Sequence, residues 1–225
     1  MQWGGILGIN YNTVLFDLDG TLLDTSEGII NSIIYTEKHV PLPAISQEQR
    51  NRFIGPPLLA SFMRAYHLEE KDALYAVEIY RERYQQKGAM EACVYNGLFE
   101  LLNDLRLSGR KLAVATLKLE EYAGKVLKHF GLESYFDCVV GSDLMGKKTK
   151  ADIVRRCLEQ MDCHDLSSAV LIGDSQYDMD GALESGIQFI GVTYGFGFSS
   201  ADAKLLHLKG IPFADNCRQL HELLF

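Results

Sequence analysis

Basic excess, membrane-length apolar runs and metal-binding cysteine pairs are all missing from this 225-residue chain. Lys and Arg number 22 against 30 Asp and Glu, a formal charge of −8, so the chain repels polyanions and is not expected to bind nucleic acid polymers. No stretch approaches the roughly 18 apolar residues of a membrane helix. The opening MQWGGILGIN has no basic segment followed by an apolar core, so no membrane association is expected and a cytoplasmic location is. Cys93, Cys138, Cys157, Cys163 and Cys217 are odd in number and widely spaced, with no CxxC pair; they are expected to be small buried hydrophobes in a reducing compartment. HExxH is absent, and the adjacent Cys163 and His164 alone do not make a tetrahedral site. No internal repeat or low-complexity tract occurs. With 47% hydrophobic residues the chain is neither disordered nor fibrous, and its length suits one large domain or a core with a smaller insert.

What is present is a series of short, continuous apolar runs: Val14-Leu15-Phe16, Leu112 to Ala115, Phe136 to Val140, Ala169 to Ile172 and Phe189 to Val192. Unbroken runs of this length suit strands of a parallel sheet buried on both faces. Helical periodicity separates them, in Leu98, Leu101, Leu102 and Leu105 before Gly109, in Tyr122, Ala123, Val126, Leu127 and Phe130 before Gly131, and in Ile153, Val154, Cys157, Leu158 and Met161. Alternating strand and helix predict a doubly wound α/β sheet with its ligand site at the carboxyl ends of the strands. Nearly a hundred residues separate the first two strands, too many for one crossover. The Asp24-Thr25-Ser26-Glu27 capping signal precedes Ile29, Ile30, Ile33 and Ile34, and Ala73, Val77, Tyr80 and Tyr84 share a second helical face. A small all-helical domain inserted after the first strand is therefore expected over residues 24–92, with residues 1–23 and 93–225 forming the core. Linkers are expected near Leu23-Asp24 and Met90-Asn96.

The tip of the first strand, Asp17-Leu18-Asp19-Gly20-Thr21, carries two carboxylates where burial is costly unless a cation or a reaction uses them. The fourth run ends similarly, in Gly173-Asp174-Ser175-Gln176-Tyr177-Asp178. Adjacent strand tips can bring Asp17, Asp19 and Asp174 together as an all-oxygen set suited to Mg2+. Asp178 is open to two readings, as part of that set or as a helix N-terminal carboxylate. Thr116, at the end of the second run, is on its own a turn or N-cap residue. Lys147, Lys148 and Lys150 before the next helix read as a solvated loop.

Taken together, these residues resemble the haloacid dehalogenase superfamily of phosphohydrolases along nearly the whole chain. Asp17 to Thr21 match its first motif, Thr116 the second, Lys150 the third, and Gly173-Asp174-Ser175 with Asp178 the fourth. The insert is similar to the C1-type cap of the phosphoglycolate phosphatase and β-phosphoglucomutase group. Phe53 to Leu58, Val140-Gly141-Ser142 and Tyr194 to Gly197 look most like phosphoglycolate phosphatase-like and 5′-nucleotidase-like members. Leu117 and Ala151 depart from the family's common small or polar residue and proline, and they leave the choice among the three lysines open, with Lys150 preferred because it borders the helix.

The resemblance implies a Mg2+-dependent phosphatase acting on a small phosphomonoester through an aspartyl-phosphate. Asp17 would be the nucleophile and Asp19 the acid and base, with Thr116 and Lys150 completing the catalytic set. Asp17, Asp19 through its main-chain carbonyl, Asp174 and Asp178 would hold the metal. Gly20, Thr116, Lys118 and Lys150 would bind phosphate, with Arg52, Arg64 and the Gly55-Pro56-Pro57 turn contacting the leaving group from the cap. Alternatives are a sugar phosphomutase on the same core, a receiver-type signalling module, which lacks both the second acid and the insert, and a non-catalytic phosphate-binding protein. A small-molecule partner, and a monomer or weak homodimer, are expected.

Overall fold

The computed structural model describes residues 11–144 and 147–225; the N-terminal decapeptide read above lies outside them. Strands β1 (Thr13–Phe16), β4 (Lys111–Leu119), β5 (Cys138–Ser142), β6 (Ala169–Gly173), β7 (Gln188–Val192) and β8 (Phe213–Ala214) form one parallel sheet, in the order β5-β4-β1-β6-β7-β8. β1 is central because it is apolar on both faces: Val14 and Phe16 point into one buried cluster and Leu15 into the other. The first cluster packs helices α5 (Leu98–Leu107), α6 (Glu120–His129) and α10 (Cys217–Leu224); the second packs α7 (Lys150–Gln160) and α8 (Gln176–Ser185). From β1 the chain runs outward through β4 to β5, then returns across β1 to β6. The ends of β1, β4 and β6 thus border the point where strand order reverses, the usual place for a ligand crevice in such sheets.

Two strands of this sheet differ from the expected runs, and one of its six has no counterpart among them. β4 continues past Thr116 to Leu119, with a register shift against β5 between Ala115 and Leu119, so Thr116 lies inside a bulged strand rather than at its tip. β5 begins at Cys138, just after Asp137, whose N–H donates to the Leu112 carbonyl (2.7 Å) and whose carboxylate takes the Leu112 N–H (2.8 Å) and Arg106 (2.7 Å). β8, two residues beside Pro212, has too little pattern to be read from sequence.

Between β2 (Leu23–Asp24) and β3 (Cys93–Val94) lie α1 (Ser26–His39), α2 (Gln47–Asn51), α3 (Leu58–Tyr66) and α4 (Glu70–Gln86), and among the described residues no strand falls between β2 and β3. The expected linkers are themselves paired: Leu23 opposes Val94 and Asp24 opposes Cys93 in an antiparallel ladder. The helical segment's buried side chains join the cluster that holds Val14 and Phe16 of β1. Phe62 packs edge-on against Phe53 (5.1 Å between centroids) and stacks on Tyr66 (5.8 Å), while buried Glu37 accepts from Arg50 (2.7 Å) and from the Tyr66 hydroxyl (2.7 Å). At the start of α1 the Asp24 carboxylate takes the Ser26 N–H (3.0 Å) and hydroxyl (2.6 Å), whereas Thr25 occupies the N-cap without a side-chain bond.

The cysteines depart from expectation. Cys157 and Cys217 are buried, but Cys93 is exposed and Cys138 and Cys163 are half-buried, and all five are free thiols. Among the described residues no helix is long and apolar enough to cross a membrane.

Candidate active site

Asp17 follows the last residue of β1, where its N–H still donates to the Ile172 carbonyl of β6 (2.8 Å). The chain then folds back on itself. The Leu18 carbonyl accepts from the N–H groups of Leu22 (3.0 Å) and Leu23 (3.1 Å), and Gly20 donates to the Leu23 carbonyl (2.8 Å). This turn separates the two acids, which on a continuing strand would share a face. Gly20 stands at φ 85°, and a Cβ there would collide with the Asp174 carboxylate, so the position demands glycine both for its backbone and for its neighbour.

Asp17, Asp174 and Asp178 converge from two strand tips and a helix start, with one carboxylate oxygen of each lying within 4.8 Å of the others. All three are at most 5% exposed. Lys150, the first residue of α7, reaches into them and donates to Asp17 Oδ1 (2.6 Å) and Asp178 Oδ1 (2.6 Å). Its stem crosses α8 at Gly181, where a Cβ would strike Lys150 Cγ. Lys147 is exposed and Lys148 half-buried, so Lys150 alone of the three lysines reaches the carboxylates. Asp178 is a helix N-terminal carboxylate that also borders the cluster: Oδ2 accepts from the Ser175 N–H (3.0 Å) and hydroxyl (2.6 Å) at the start of α8 while Oδ1 faces Lys150. Asp174 is fixed by the N–H groups of Phe196 (2.6 Å) and Gly197 (3.1 Å), a role for the Tyr194 to Gly197 segment that no sequence signal disclosed.

Three carboxylates around one ammonium leave a net negative charge in a dry place. Burial pushes the Asp17 carboxyl up to about 7; Asp178 and Asp19 add to the rise, and Lys150 opposes it. Burial, then Asp178 and Asp17, push Asp174 up to about 8 against its two backbone N–H donors. Burial works against the Lys150 ammonium, yet Asp17 and Asp178 outweigh it and hold the amine above its ordinary range.

Asp19 stands apart from this cluster. Both its oxygens lie 2.8 Å from Lys118 Nζ, and both side chains are under 10% exposed. Lys118, expected on phosphate, is therefore on the second acid; its ammonium also lies 5.0 Å from the centre of the Tyr84 ring. The bulge in β4 arranges this, with buried Thr116 accepting the Lys118 N–H on its hydroxyl (3.2 Å). Asp19 and Lys118 line a cavity of about 260 Å³ between the helical segment and the sheet edge. Gly55, Pro56 and Pro57 border it, as expected. Arg52 and Arg64 do not: Arg52 is exposed and paired with Glu48 (2.6 Å), and Arg64 donates to the Arg52 carbonyl (3.2 Å) and to Ser61 Oγ (3.4 Å). The cap cation that does reach the cavity is Arg81, which sequence reasoning missed because charge on a helix says nothing of the direction it faces. Tyr80 and Tyr84 belong to the helical face read from the sequence, and here they are cavity wall.

This arrangement provides a buried carboxylate on an ammonium, an oxygen-rich cluster beside it, and a second acid pointing to a separate chamber. Comparison with known proteins places it. A family model described as haloacid dehalogenase-like hydrolase matches residues 14–192. A 5′-nucleotidase of Pseudomonas aeruginosa is 38% identical over 192 residues, 84% of this chain and 86% of that one. The tyrosine-protein kinase PtkA of Mycobacterium tuberculosis is 36% identical over 186 residues, 82% of this chain and 62% of that one. The crystal structure of a predicted phosphatase from Clostridium acetobutylicum superposes with a TM-score of 0.86 at 40% identity, covering 95% of this chain and 97% of that one.

Proposed function

The chain belongs to the haloacid dehalogenase-like hydrolase family, and from that premise we propose that it is a Mg2+-dependent phosphatase that cleaves a small phosphomonoester through a covalent intermediate on Asp17. The observation that carries this reading is the division of labour between the two acids: Asp17 sits on Lys150 within the carboxylate cluster, and Asp19, two residues on, faces the chamber where a leaving group would sit.

The donor set fits a divalent cation. Asp17, Asp174 and Asp178 offer hard oxygens within 4.8 Å, and their surplus negative charge is what a doubly charged ion offsets. When bound there, Mg2+ supplies charge neutralisation for an anionic nucleophile meeting an anionic phosphoryl group. The chain's own residues do the rest. An oxygen of Asp17 forms a bond to phosphorus as the bond from phosphorus to the leaving oxygen breaks, and Asp19 delivers a proton to that oxygen. A water then attacks the phosphorus, its proton passes to Asp19, and the bond to Asp17 breaks to release phosphate. The proton taken in the second step is the one delivered in the next turnover. Lys150 orients Asp17, Lys118 orients Asp19, and Thr116, buried in β4 next to β1, would hold a phosphoryl oxygen. Residues 24–92 serve as a cap that excludes water from the first step, hung from the β2–β3 ladder.

Release of inorganic phosphate from a generic aryl phosphate, with Mg2+ and with EDTA, in the wild type and in Asp17→Asn, tests the proposal. Turnover that requires Mg2+ and vanishes in the variant is the expected result. A folded, Mg2+-replete wild type that releases no phosphate from any monoester contradicts it.

A further inference from the structure

We infer that the alcohol released from the phosphomonoester is uncharged and carries an aromatic ring, and that leaving groups bearing a carboxylate are rejected; this rests on the phosphatase reading above. The walls and charges of the chamber that Asp19 faces set this preference. Phe53 and Leu58 of the cap, Val77, Tyr80 and Tyr84 of α4, and Tyr122 of α6 enclose it. Four of these six are aromatic, and ring edges and faces around a mostly apolar space favour another ring.

The charges point the same way. Among the described residues lining the chamber, the cations are Lys118 and Arg81. Lys118 is already shared between both oxygens of Asp19, at 2.8 Å each. Arg81 is half-exposed and bridges cap and core by donating to the Leu144 carbonyl (3.0 Å). An anionic leaving group set between the apolar walls would have to surrender its hydration without a buried cation to replace it, and its nearest fixed charge would include the Asp19 carboxylate. An uncharged ring meets none of these penalties.

The test compares phosphomonoesters of primary alcohols, so that the bond broken is chemically alike: benzyl phosphate, a nucleoside 5′-monophosphate, glycerol phosphate and 2-phosphoglycolate, each at saturating Mg2+. The expected kcat/KM for benzyl phosphate or the nucleotide exceeds that for 2-phosphoglycolate and for glycerol phosphate at least tenfold; which of the two aromatic substrates leads tells a carbocyclic ring from a nucleobase. Leu58→Asp places a carboxylate in the chamber at the first position of α3, where a negative charge suits the helix terminus and the fold is kept. It is expected to lower kcat/KM for the aromatic substrates at least tenfold through KM. Equal or better turnover of 2-phosphoglycolate or glycerol phosphate overturns the inference while leaving the phosphatase reading intact. No phosphate from any substrate overturns that reading instead. Calorimetric titration of Asp17→Asn then decides the chamber's preference by itself: tighter binding of benzyl phosphate than of 2-phosphoglycolate by tenfold supports it, and a smaller ratio sinks it.

Discussion

The sheet-edge cluster and the chamber above it share a boundary at Asp19 and are built on opposite principles. The cluster is polar, with each carboxylate held by a lysine, a hydroxyl or a backbone N–H at 2.6 to 3.1 Å. The chamber is mostly hydrocarbon and aromatic ring, borne on helices. Fixed dipoles and charges aimed at a reacting centre suit one reaction, and they need rigid strand tips to hold them. Apolar walls specify only size and polarity, which helices can change residue by residue without disturbing the chemistry. On the reading proposed above, the contrast assigns reaction type to the strand tips and substrate choice to the chamber that the insert and the ends of β4 and β5 enclose.

Substitutions can break that contrast at graded strengths. Asp17→Asn should abolish phosphate release, by roughly 10⁴-fold or more in kcat, the scale on which a covalent nucleophile acts; a stopped assay measures it, and retained turnover would place the nucleophile elsewhere. Asp19→Asn should cost about 10²- to 10⁴-fold in kcat, the usual worth of a general acid and base, with the loss smallest for substrates whose leaving group needs no proton. On the cap side, Glu37→Ala strands the buried Arg50 guanidinium and the Tyr66 hydroxyl, and should destabilise by about 3 kcal/mol on denaturant titration with Asp17 chemistry unchanged in whatever fraction stays folded.

Stability against pH sharpens the comparison further. Asp17 and Asp174 have folded-state pKa values raised to about 7 and about 8, above the ordinary carboxylate range, so the metal-free folded protein binds more protons than the unfolded chain. Their contribution is fully present below about pH 4 and is lost as pH rises through 7 and 8. In EDTA the melting temperature should therefore fall between pH 5 and 8 by about 3 °C or more, the shift that roughly 1 kcal/mol produces in a chain of this size. Added Mg2+ should flatten that slope, because it binds the deprotonated carboxylates; a slope unchanged by Mg2+ would separate the cluster from metal binding. The smallest effect belongs to Arg52→Ala, whose guanidinium is exposed and paired only with exposed Glu48. Both activity and stability should stay close to wild type, within about 0.5 kcal/mol.

Much of the sheet could be read in advance, because strands buried on both faces cannot hide their composition: Val14 to Phe16 and Ala169 to Ile172 fall where expected. The helical insert was legible for the complementary reason, a long interval with period 3.6 and no strand-like run. Asp17, Asp19 and Asp174 were legible as carboxylates where none should be buried, whereas Asp178 was open to a helix-terminal reading, and the cluster contains it in place of the Asp19 carboxylate. What the sequence conceals is direction and distance. Lys118 meets Asp19 across 99 positions through a bulge that no local pattern announces, and Arg52 and Arg81 look alike until helix packing turns one to solvent and the other to the chamber. Lys147, Lys148 and Lys150 differ only in their depth beneath the start of α7.

The two-residue ladder of β2 and β3 has a consequence for how such a molecule can be altered. Because Asp24 and Cys93 are direct antiparallel partners, the chain leaves and re-enters the sheet-bearing half at points only about 5 Å apart. Replacing residues 25–92 with a two-residue Asn-Gly turn would close an ordinary hairpin, and a foreign helical segment grafted onto the same ladder would have to cover Lys118 of β4 as Tyr84 does here. The insert is thus tied to the core at neighbouring points, so that an exchange of whole segments there would leave the path of the chain through the sheet unchanged.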